Sequence, residues 1–294
     1  MTPRRLRVAV AGVPGARSTE RMAESLRAIG IESPTFSAGD LVHDLTSGRV
    51  ELDGEDLSTL DGIVVKKLAD QSSPWGRLRL HPLRVLASQG VRIFSRPDAI
   101  DVAMDRYRMT VELAAAGLPV PATVSAETEG GLREAIGRLG ESVVKPVYTS
   151  KGRGMLRVDA SAAAIENGAV DGEQQRYLVQ RFVRAPGRDI GATVVGGAFA
   201  GAFYRVAAAG EWMTTTSQGG RYQACELSPH GVALAERAAR LFALDYTVVD
   251  LVEQDDGFLI YEVSAFGGFR GLLEATGVDP SVAYAAYIAR ELGG

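Results

Sequence analysis

The sequence of 294 residues has one cysteine, Cys225, three histidines and one asparagine, Asn167. A single cysteine excludes an intrachain disulfide and a cysteine-rich metal site, and three histidines leave few ligands for zinc. Lysine is also scarce, because arginine supplies 28 of the 32 basic residues. The lysines that remain are therefore more informative than usual. They are Lys66, Lys67, Lys145 and Lys151.

Long apolar runs and basic blocks are missing as well. No segment reaches the roughly 18 apolar residues typical of a membrane helix, because the nearest candidate, 193–209, contains Gly196-Gly197 and Arg205. With a net charge of −4, phosphate neutralisation is a poor basis for binding nucleic acid. The N-terminal arginines precede no apolar signal segment. We expect a cytoplasmic protein without a membrane or nucleic-acid partner.

The first hundred residues alternate between strand and helix patterns. Such alternation is typical of a parallel α/β layer. Ligands of such layers bind beyond the carboxyl ends of the strands, so Lys66 and Lys67 either face a cleft or form a solvated pair. The predicted elements, in the order strand, helix, strand, helix, strand, are 6–11, 19–28, 62–65, 83–87 and 91–94.

The rest of the chain mixes helices and strands without an internal repeat. A helix is predicted over 101–116, and another from Ser228-Pro229 to about Ala243. A turn at Ser95–Asp98 predicts a domain boundary, so we divide the chain into 1–97, 98–183 and 184–294. Strands are predicted at 142–147, 155–158 and 177–183, twice within 190–206, and at 246–253 and 258–263.

Two carboxylates face each other in the last predicted hairpin. If its loop is Asp255-Asp256-Gly257, Gln254 pairs with Phe258 and Asp250 lies opposite Glu262. Like charges placed there, about 4.5–5.5 Å apart between β-carbons, destabilise a sheet unless something neutralises them. Mg²⁺ prefers one or two carboxylates together with water and phosphate oxygens. An exposed hairpin face or one protonated acid would also explain the pair.

A polar, glycine-rich loop, 148–155, lies between two predicted strands and follows Lys145. It is neither the GxxxxGK(S/T) phosphate loop nor a GxGxxG turn opening a helix. Backbone N–H groups of such a loop could close over phosphates, with the Lys145 ammonium beside them. The alternative is an ordinary turn.

A series of motifs in order resembles the ATP-grasp superfamily, and within it the RimK-type glutamate ligases. The ending, 269–279, is similar to the branch around the tetrahydromethanopterin:glutamate ligases. The motifs are Val144-Lys145-Pro146, Gly152-Arg153-Gly154, 178–183, Gly187-Arg188-Asp189-Ile190, Phe203-Tyr204-Arg205, 217–221, Val249-Asp250-Leu251 and Glu262-Val263-Ser264-Ala265.

The resemblance implies an α/β (α+β ATP-grasp) fold with a Rossmann-like N-terminal domain and two α+β subdomains that sandwich the nucleotide. It implies a carboxylate–amine ligase in which ATP phosphorylates a carboxylate and an amine attacks the acyl phosphate. The acceptor would be a cofactor-like or peptide carboxylate, and the amine an amino acid such as glutamate. ATP and Mg²⁺, or Mn²⁺, would be the cofactors, and a homo-oligomer is expected.

The resemblance also implies roles for individual residues. Arg205 would stabilise the acyl phosphate, and Asp189 would meet the ribose. Arg106, Lys145 and the loop with Gly152 and Gly154 would hold the phosphates. The adenine would lie along Gln180, Arg181, Phe182 and Val183, and the metal ligands would be Asp250, Glu262 and Ser264.

Several positions depart from the family pattern. The family usually has Lys at Arg106, an acid at Arg181, Arg at Gly191, Arg-x-Asn at 213–215 and Asn at Ser264. These departures keep open a second hypothesis, a binding or scaffold protein that has lost nucleotide chemistry. A dinucleotide-binding reductase is a third hypothesis, although Gly12–Gly15 lacks the full GxGxxG pattern.

Overall fold

The computed structural model describes residues 4–69, 75–147, 153–159, 177–215 and 219–293. The strands are β1 (Val8–Ala11), β2 (Thr35–Phe36), β3 (Val42–His43), β4 (Val50–Leu52), β5 (Glu55–Asp56), β6 (Gly62–Val65), β7 (Arg92–Phe94), β8 (Thr123–Ala126), β9 (Ser142–Pro146), β10 (Leu156–Val158), β11 (Tyr177–Arg181), β12 (Arg188–Val195), β13 (Ala198–Val206), β14 (Arg221–Cys225), β15 (Tyr246–Gln254) and β16 (Gly257–Val263). The α-helices are α1 (Arg17–Ala28), α2 (Trp75–Leu78), α3 (Leu80–Ser88), α4 (Pro97–Met104), α5 (Arg106–Ala115), α6 (Glu129–Leu139), α7 (Pro229–Phe242), α8 (Arg270–Thr276) and α9 (Pro280–Glu291).

The first sheet is parallel, with the strand order β2-β1-β6-β7. Every residue of β1 and β6 is buried, because helices cover the faces of a parallel sheet and favour continuous apolar runs. The parallel α/β layer predicted from the sequence is confirmed. A small antiparallel sheet of β3, β4 and β5 lies beside it.

One predicted helix is in fact two. The sequence predicted a turn at 95–98 and one helix over 101–116, whereas α4 begins at Pro97 and ends at Met104. The reason is local chemistry, because proline is pre-organised for a first helical turn. The carboxylate of Asp105 then accepts the N–H of Arg108 at 3.1 Å and starts α5 as its N-cap.

The second sheet is antiparallel, in the order β10-β9-β11-β8, with α6 packed on one face. It has a hydrophobic core of its own. That core consists of Leu132, Ala135, Ile136, Val144, Val158, Tyr177 and Val179.

The third sheet is antiparallel, in the order β14-β13-β12-β15-β16. Helix α7 packs against it and begins as predicted, because the Ser228 hydroxyl accepts the N–H of Gly231 and Pro229 occupies the first turn. This sheet shares two hydrophobic cores with the first domain. One contains Ile63 and Val249, and the other contains Val10 and Val248.

Across the described residues, no helix is both long enough and apolar enough to span a membrane.

Candidate active site

The β15–β16 hairpin turns earlier than the sequence predicted. Gln254 pairs with Gly257, so the loop has the two residues Asp255 and Asp256. The predicted pairing of Gln254 with Phe258 is therefore wrong by one position. Gly257 has φ +148°, a backbone conformation that residues with a side chain rarely adopt, and this lets the chain turn here.

A β-bulge at Tyr261 restores the predicted pairing farther along. Leu251 pairs with Ile260, but the next residue, Asp250, pairs with Glu262, so Tyr261 is the extra residue. The two carboxylates consequently lie directly opposite each other. The prediction of their pairing is confirmed, although the register at the turn is different.

Asp250 is mostly buried, and only one of its two carboxyl oxygens has a partner among the described residues. Its Oδ2 lies 2.9 Å from Nη2 of Arg205, while its Oδ1 is buried without a hydrogen-bond partner in the described part of the chain. Burial raises the pKa of the Asp250 carboxyl to about 7, and the Arg205 guanidinium opposes that rise. Asp250 Oδ1 is therefore the oxygen of this carboxyl that is available to a cation.

Arg205 joins three strands of the third sheet. It is paired across the sheet with Asp189, and its Nε donates to Asp189 Oδ1 at 2.7 Å. Thr214 donates its hydroxyl to the other oxygen, Oδ2, at 2.7 Å. The two acids, Asp189 and Asp250, raise the pKa of Arg205 well above its usual value despite burial. The Asp189 carboxylate thus holds Arg205, and its role at a ribose stays a prediction.

Lys145 is presented by β9 toward the same carboxylates. Its Nζ donates to Oε1 of Gln180 at 2.5 Å and lies 5.2 Å from the ring centroid of Tyr261. The Gln180 amide nitrogen donates in turn to the Thr123 hydroxyl at 3.1 Å. The pKa of Lys145 is lowered to about 8: burial and then Arg106 lower it, while Glu262 and Asp250 oppose the change.

Arg106, at the start of α5, closes this side of the site. Its Nη1 donates to the carbonyl of Pro146 at 3.0 Å, and its Nη2 lies 3.6 Å from Oε2 of Glu262. Its residue is only 8% exposed. Two cations from different elements, Arg106 and Lys145, therefore lie beside the carboxylate pair.

The predicted adenine segment begins in the last two residues of β11 and continues beyond the strand. Arg181 is exposed, and the N–H of Phe182 donates to the carbonyl of Glu141 at 2.8 Å. The Phe182 ring makes an edge contact with Trp212, with centroids 6.1 Å apart, and the Arg157 guanidinium lies 3.9 Å from its centroid. The segment is thus tied to both the second sheet and the loop after β13.

The predicted phosphate loop is described only in part. Gly152 and the rest of 148–152 lie outside the described residues. Gly154 has φ +66°, and a Cβ there would lie 3.0 Å from Cγ of Pro146. Glycine at 154 is therefore required by the backbone and by its close approach to the end of β9.

Comparison with known proteins decides the family. A sequence model described as a RimK-like ATP-grasp domain matches residues 103–288. The chain belongs to the RimK-like ATP-grasp family. As a member it is an ATP-grasp ligase that binds ATP.

Curated relatives of this RimK-like protein are glutamate ligases. The tetrahydromethanopterin:alpha-L-glutamate ligase of Methanosarcina acetivorans is 32% identical over 255 residues, covering 76% of this chain and 78% of that protein. A probable alpha-L-glutamate ligase of Thioalkalivibrio sulfidiphilus is 28% identical over 268 residues, covering 89% and 88%.

Solved structures share the fold. A RimK domain ATP-grasp protein of Sphaerobacter thermophilus has a TM-score of 0.75 at 24% identity, covering 96% of this chain and 98% of that one. The ATP-grasp ligase PsnB, complexed with a minimal precursor, has a TM-score of 0.76 at 20% identity, covering 98% and 99%. The predicted α+β ATP-grasp fold is confirmed.

One departure of this RimK-like chain now has a structural explanation. A Cβ at Gly191 would lie 2.4 Å from Cζ of Phe203, so the Phe203 ring fills the place of any side chain there. Within 213–215, the Thr214 hydroxyl is bound to Asp189, which joins this middle position, rather than the departing Met213 and Thr215, to the Arg205 network. Arg181, by contrast, is exposed, and nothing in the structure explains its reversed charge.

The donor set fits one divalent cation of the magnesium type. Asp250 Oδ1 is the unsatisfied oxygen, Glu262 lies opposite it, and Ser264 follows two residues later. No cluster of three or more histidine, cysteine or acidic side chains suited to a metal occurs within the described ranges. Mg²⁺ does not need such a cluster, since it takes one or two carboxylates and completes its shell with water and phosphate.

Several residues of the site were not found from the sequence. Tyr261 faces Lys145 because of the bulge, and strict alternation would have placed it on the other face. Nothing in the sequence pattern around Thr214 indicated that its hydroxyl would contact Asp189. The sequence is compatible with Lys66 facing a cleft or lying in solvent. In the structure its side chain is buried, with the residue 5% exposed.

Proposed function

We propose that this protein is an ATP-dependent carboxylate–amine ligase that acts in the cytoplasm through an acyl phosphate. The amine would be glutamate or a similar amino acid, and the acceptor a tetrahydromethanopterin-type or peptide carboxylate. The observation that carries the proposal is the half-satisfied Asp250, opposite Glu262 and between Arg205 and Lys145. The names of the curated relatives support the substrate class.

The chemistry needs positioning and charge neutralisation more than covalent catalysis. An acceptor carboxylate oxygen attacks the γ-phosphorus and ADP leaves. The amine then attacks the acyl carbon, inorganic phosphate leaves, and the nitrogen loses a proton. When bound, Mg²⁺ or Mn²⁺ would offset the negative charge of the phosphates at Asp250, Glu262 and Ser264.

The basic side chains would contact two different groups, the nucleotide phosphates and the acyl phosphate. Lys145 and Arg106 would hold the nucleotide phosphates, since both are cations beside the carboxylate pair, Arg106 buried and Lys145 half-buried. Arg205, held in place by Asp189 and Asp250, would stabilise the charge on the acyl phosphate. A homo-oligomer stays a prediction.

The decisive experiment is product formation. Purified protein is incubated with Mg·ATP, glutamate and either a tetrahydromethanopterin-type acceptor or a glutamate-terminated peptide. We expect ADP release that requires both substrates, and a product one glutamyl residue heavier by mass spectrometry.

A second candidate function is a nucleotide-binding or scaffold protein without turnover. The exposed Arg181, which places a positive charge within the predicted adenine segment, favours it. Binding of Mg·ADP without any acceptor-dependent ADP release would support this candidate and contradict the ligase.

Nucleotide affinity should depend on pH through Lys145. Burial lowers its pKa to about 8, so the ammonium is present below pH 8 and is lost above it. We expect the Kd of ADP to rise up to about tenfold between pH 7 and 9, because the neutral amine attracts phosphate less. Calorimetric titration measures this, and the Lys145→Met variant should bind more weakly with little dependence on pH. An unchanged pH dependence in that variant would assign the effect to another group.

A further inference from the structure

Lys66 is a buried cation at the boundary between the first domain and the third sheet. It follows β6, and its backbone N–H donates to the carbonyl of Ala11 at 2.8 Å, which places it at the carboxyl end of the parallel sheet. Its side chain points away from solvent, with the residue 5% exposed. Burial lowers the pKa of Lys66 to about 7, and no carboxylate of the described residues counteracts it.

The ammonium of Lys66 is held by a carbonyl and two aromatic rings. Its Nζ donates to the carbonyl of Gly267, 201 residues away in sequence, at 2.6 Å. It lies 3.8 Å from the ring centroid of Phe269 and 4.7 Å from that of Tyr246. The faces of aromatic rings attract cations, which explains how a lysine can be buried here without an acid.

The segment that Lys66 holds is the 264–269 loop, which follows the metal-ligand strand β16. Tyr246 donates its hydroxyl to the carbonyl of Gly268 at 3.2 Å, so adjacent carbonyls of the loop are both bound. Gly267 itself lies against β15, since a Cβ there would be 2.8 Å from the backbone nitrogen of Val248. The loop thus packs closely against β15, and the Lys66 ammonium and the Tyr246 hydroxyl hold it there by hydrogen bonds.

The position of this loop affects the predicted cation site because the loop begins with one of the predicted metal ligands. Its first residue is Ser264, whose N–H donates to the carbonyl of Val248 at 3.0 Å, two residues before Asp250 on β15. On β15, Tyr246, Val248 and Asp250 share one face, so the Lys66 contact lies roughly 13 Å along the strand from the carboxylate pair.

We propose that Lys66 is a positioning residue: together with the Tyr246 hydroxyl it fastens the 264–269 loop across the domain boundary and so sets the geometry of the cation site. The link to turnover rests on the proposed ligase function. The link to loop geometry does not, and it can be measured without any substrate.

The test compares Lys66→Met with a matched control, Arg5→Met. Methionine keeps the length of the side chain but removes the cation and the donor. Arg5 is also a basic side chain of the first domain that donates to a glycine carbonyl, that of Gly30 at 2.8 Å, but it is exposed and far from the loop in sequence.

Three quantities are measured in each variant. They are amide hydrogen exchange over 264–269 in the ligand-free protein, the gain in ADP affinity on adding Mg²⁺, and ligase turnover. In Lys66→Met we expect faster exchange of the loop, and a loss of about 10–100-fold in the Mg²⁺-dependent gain and in kcat, as for other residues that orient metal ligands. ADP affinity without Mg²⁺ should not change, and Arg5→Met should match the native protein.

Exchange and Mg²⁺-dependent affinity within about twofold of the native protein would overturn the proposal. If Lys66→Met does not fold, Tyr246→Phe replaces it. That variant removes the bond to Gly268 but keeps the ring, and it should loosen the loop in the same direction; an unchanged loop would again overturn the proposal. Absence of product from the native protein would refute the ligase function alone, because the exchange and affinity measurements still decide the role of Lys66.

Discussion

Replacing Asp250 with asparagine should lower ligase turnover about 10³-fold, the order of loss seen when a main electrostatic contact to the transition state is removed. The amide keeps the shape of the side chain and can still accept from Arg205. It loses the negative charge of the one unsatisfied buried oxygen opposite Glu262. The measurement is kcat with saturating Mg·ATP, together with a thermal-shift titration with ADP.

The thermal shift separates cation binding from misfolding. A ligand at about 100 times its Kd stabilises the native protein by about 2.7 kcal/mol, which raises the unfolding midpoint of a protein this size by several degrees. We expect the Mg²⁺-dependent part of that rise to vanish in Asp250→Asn. The control is Asp256→Asn, in the exposed turn of the same hairpin, which should behave as the native protein does. Native turnover in Asp250→Asn would refute the cation site.

Replacing Arg205 with methionine should lower the free energy of unfolding by about 3–5 kcal/mol, the usual cost of removing one partner from a buried ion pair. The variant leaves two mostly buried carboxylates, Asp189 and Asp250, without the guanidinium that lies between them. Denaturant unfolding measures the loss. Turnover should fall as well, because the same guanidinium is proposed to meet the acyl phosphate.

Two further variants test whether charge is the cause. Arg188→Met, on the neighbouring strand β12, removes a more exposed partner of Glu253 and should cost no more than about 1 kcal/mol. Adding Asp189→Asn to Arg205→Met should restore part of the stability, since one orphaned charge disappears. If the double variant is no more stable than Arg205→Met, the loss comes from packing rather than from charge.

The sequence was sufficient where the determinants are local. Strand β6 has the predicted limits, and the Ser228 cap begins α7 as predicted, because both depend on a few neighbouring residues. The resemblance identified the family for the same reason, through short motifs in order. The boundaries at residues 97 and 183, and the roles of the individual site residues, stay predictions.

The sequence was insufficient where distant or irregular contacts decide. The pairing of Asp250 with Glu262 was right only because the bulge at Tyr261 offsets the shorter turn, and no periodic pattern signals a bulge. The hydrogen bond of Lys66 to the carbonyl of Gly267 joins residues 201 positions apart in the sequence. Such contacts depend on how separate sheets pack.

The division of the hydrophobic cores has a consequence for how the chain is made. Both cores shared by the first domain and the third sheet skip the second sheet, and neither contains a described residue between Val120 and Ile190. At about 5–20 residues per second, the ribosome takes roughly 4–14 s to add this stretch. During that interval the nascent first domain exposes apolar surface that only the later strands cover, while the second sheet, with its separate core, can fold on emergence. A chaperone that binds the nascent chain would therefore find its site in the first domain.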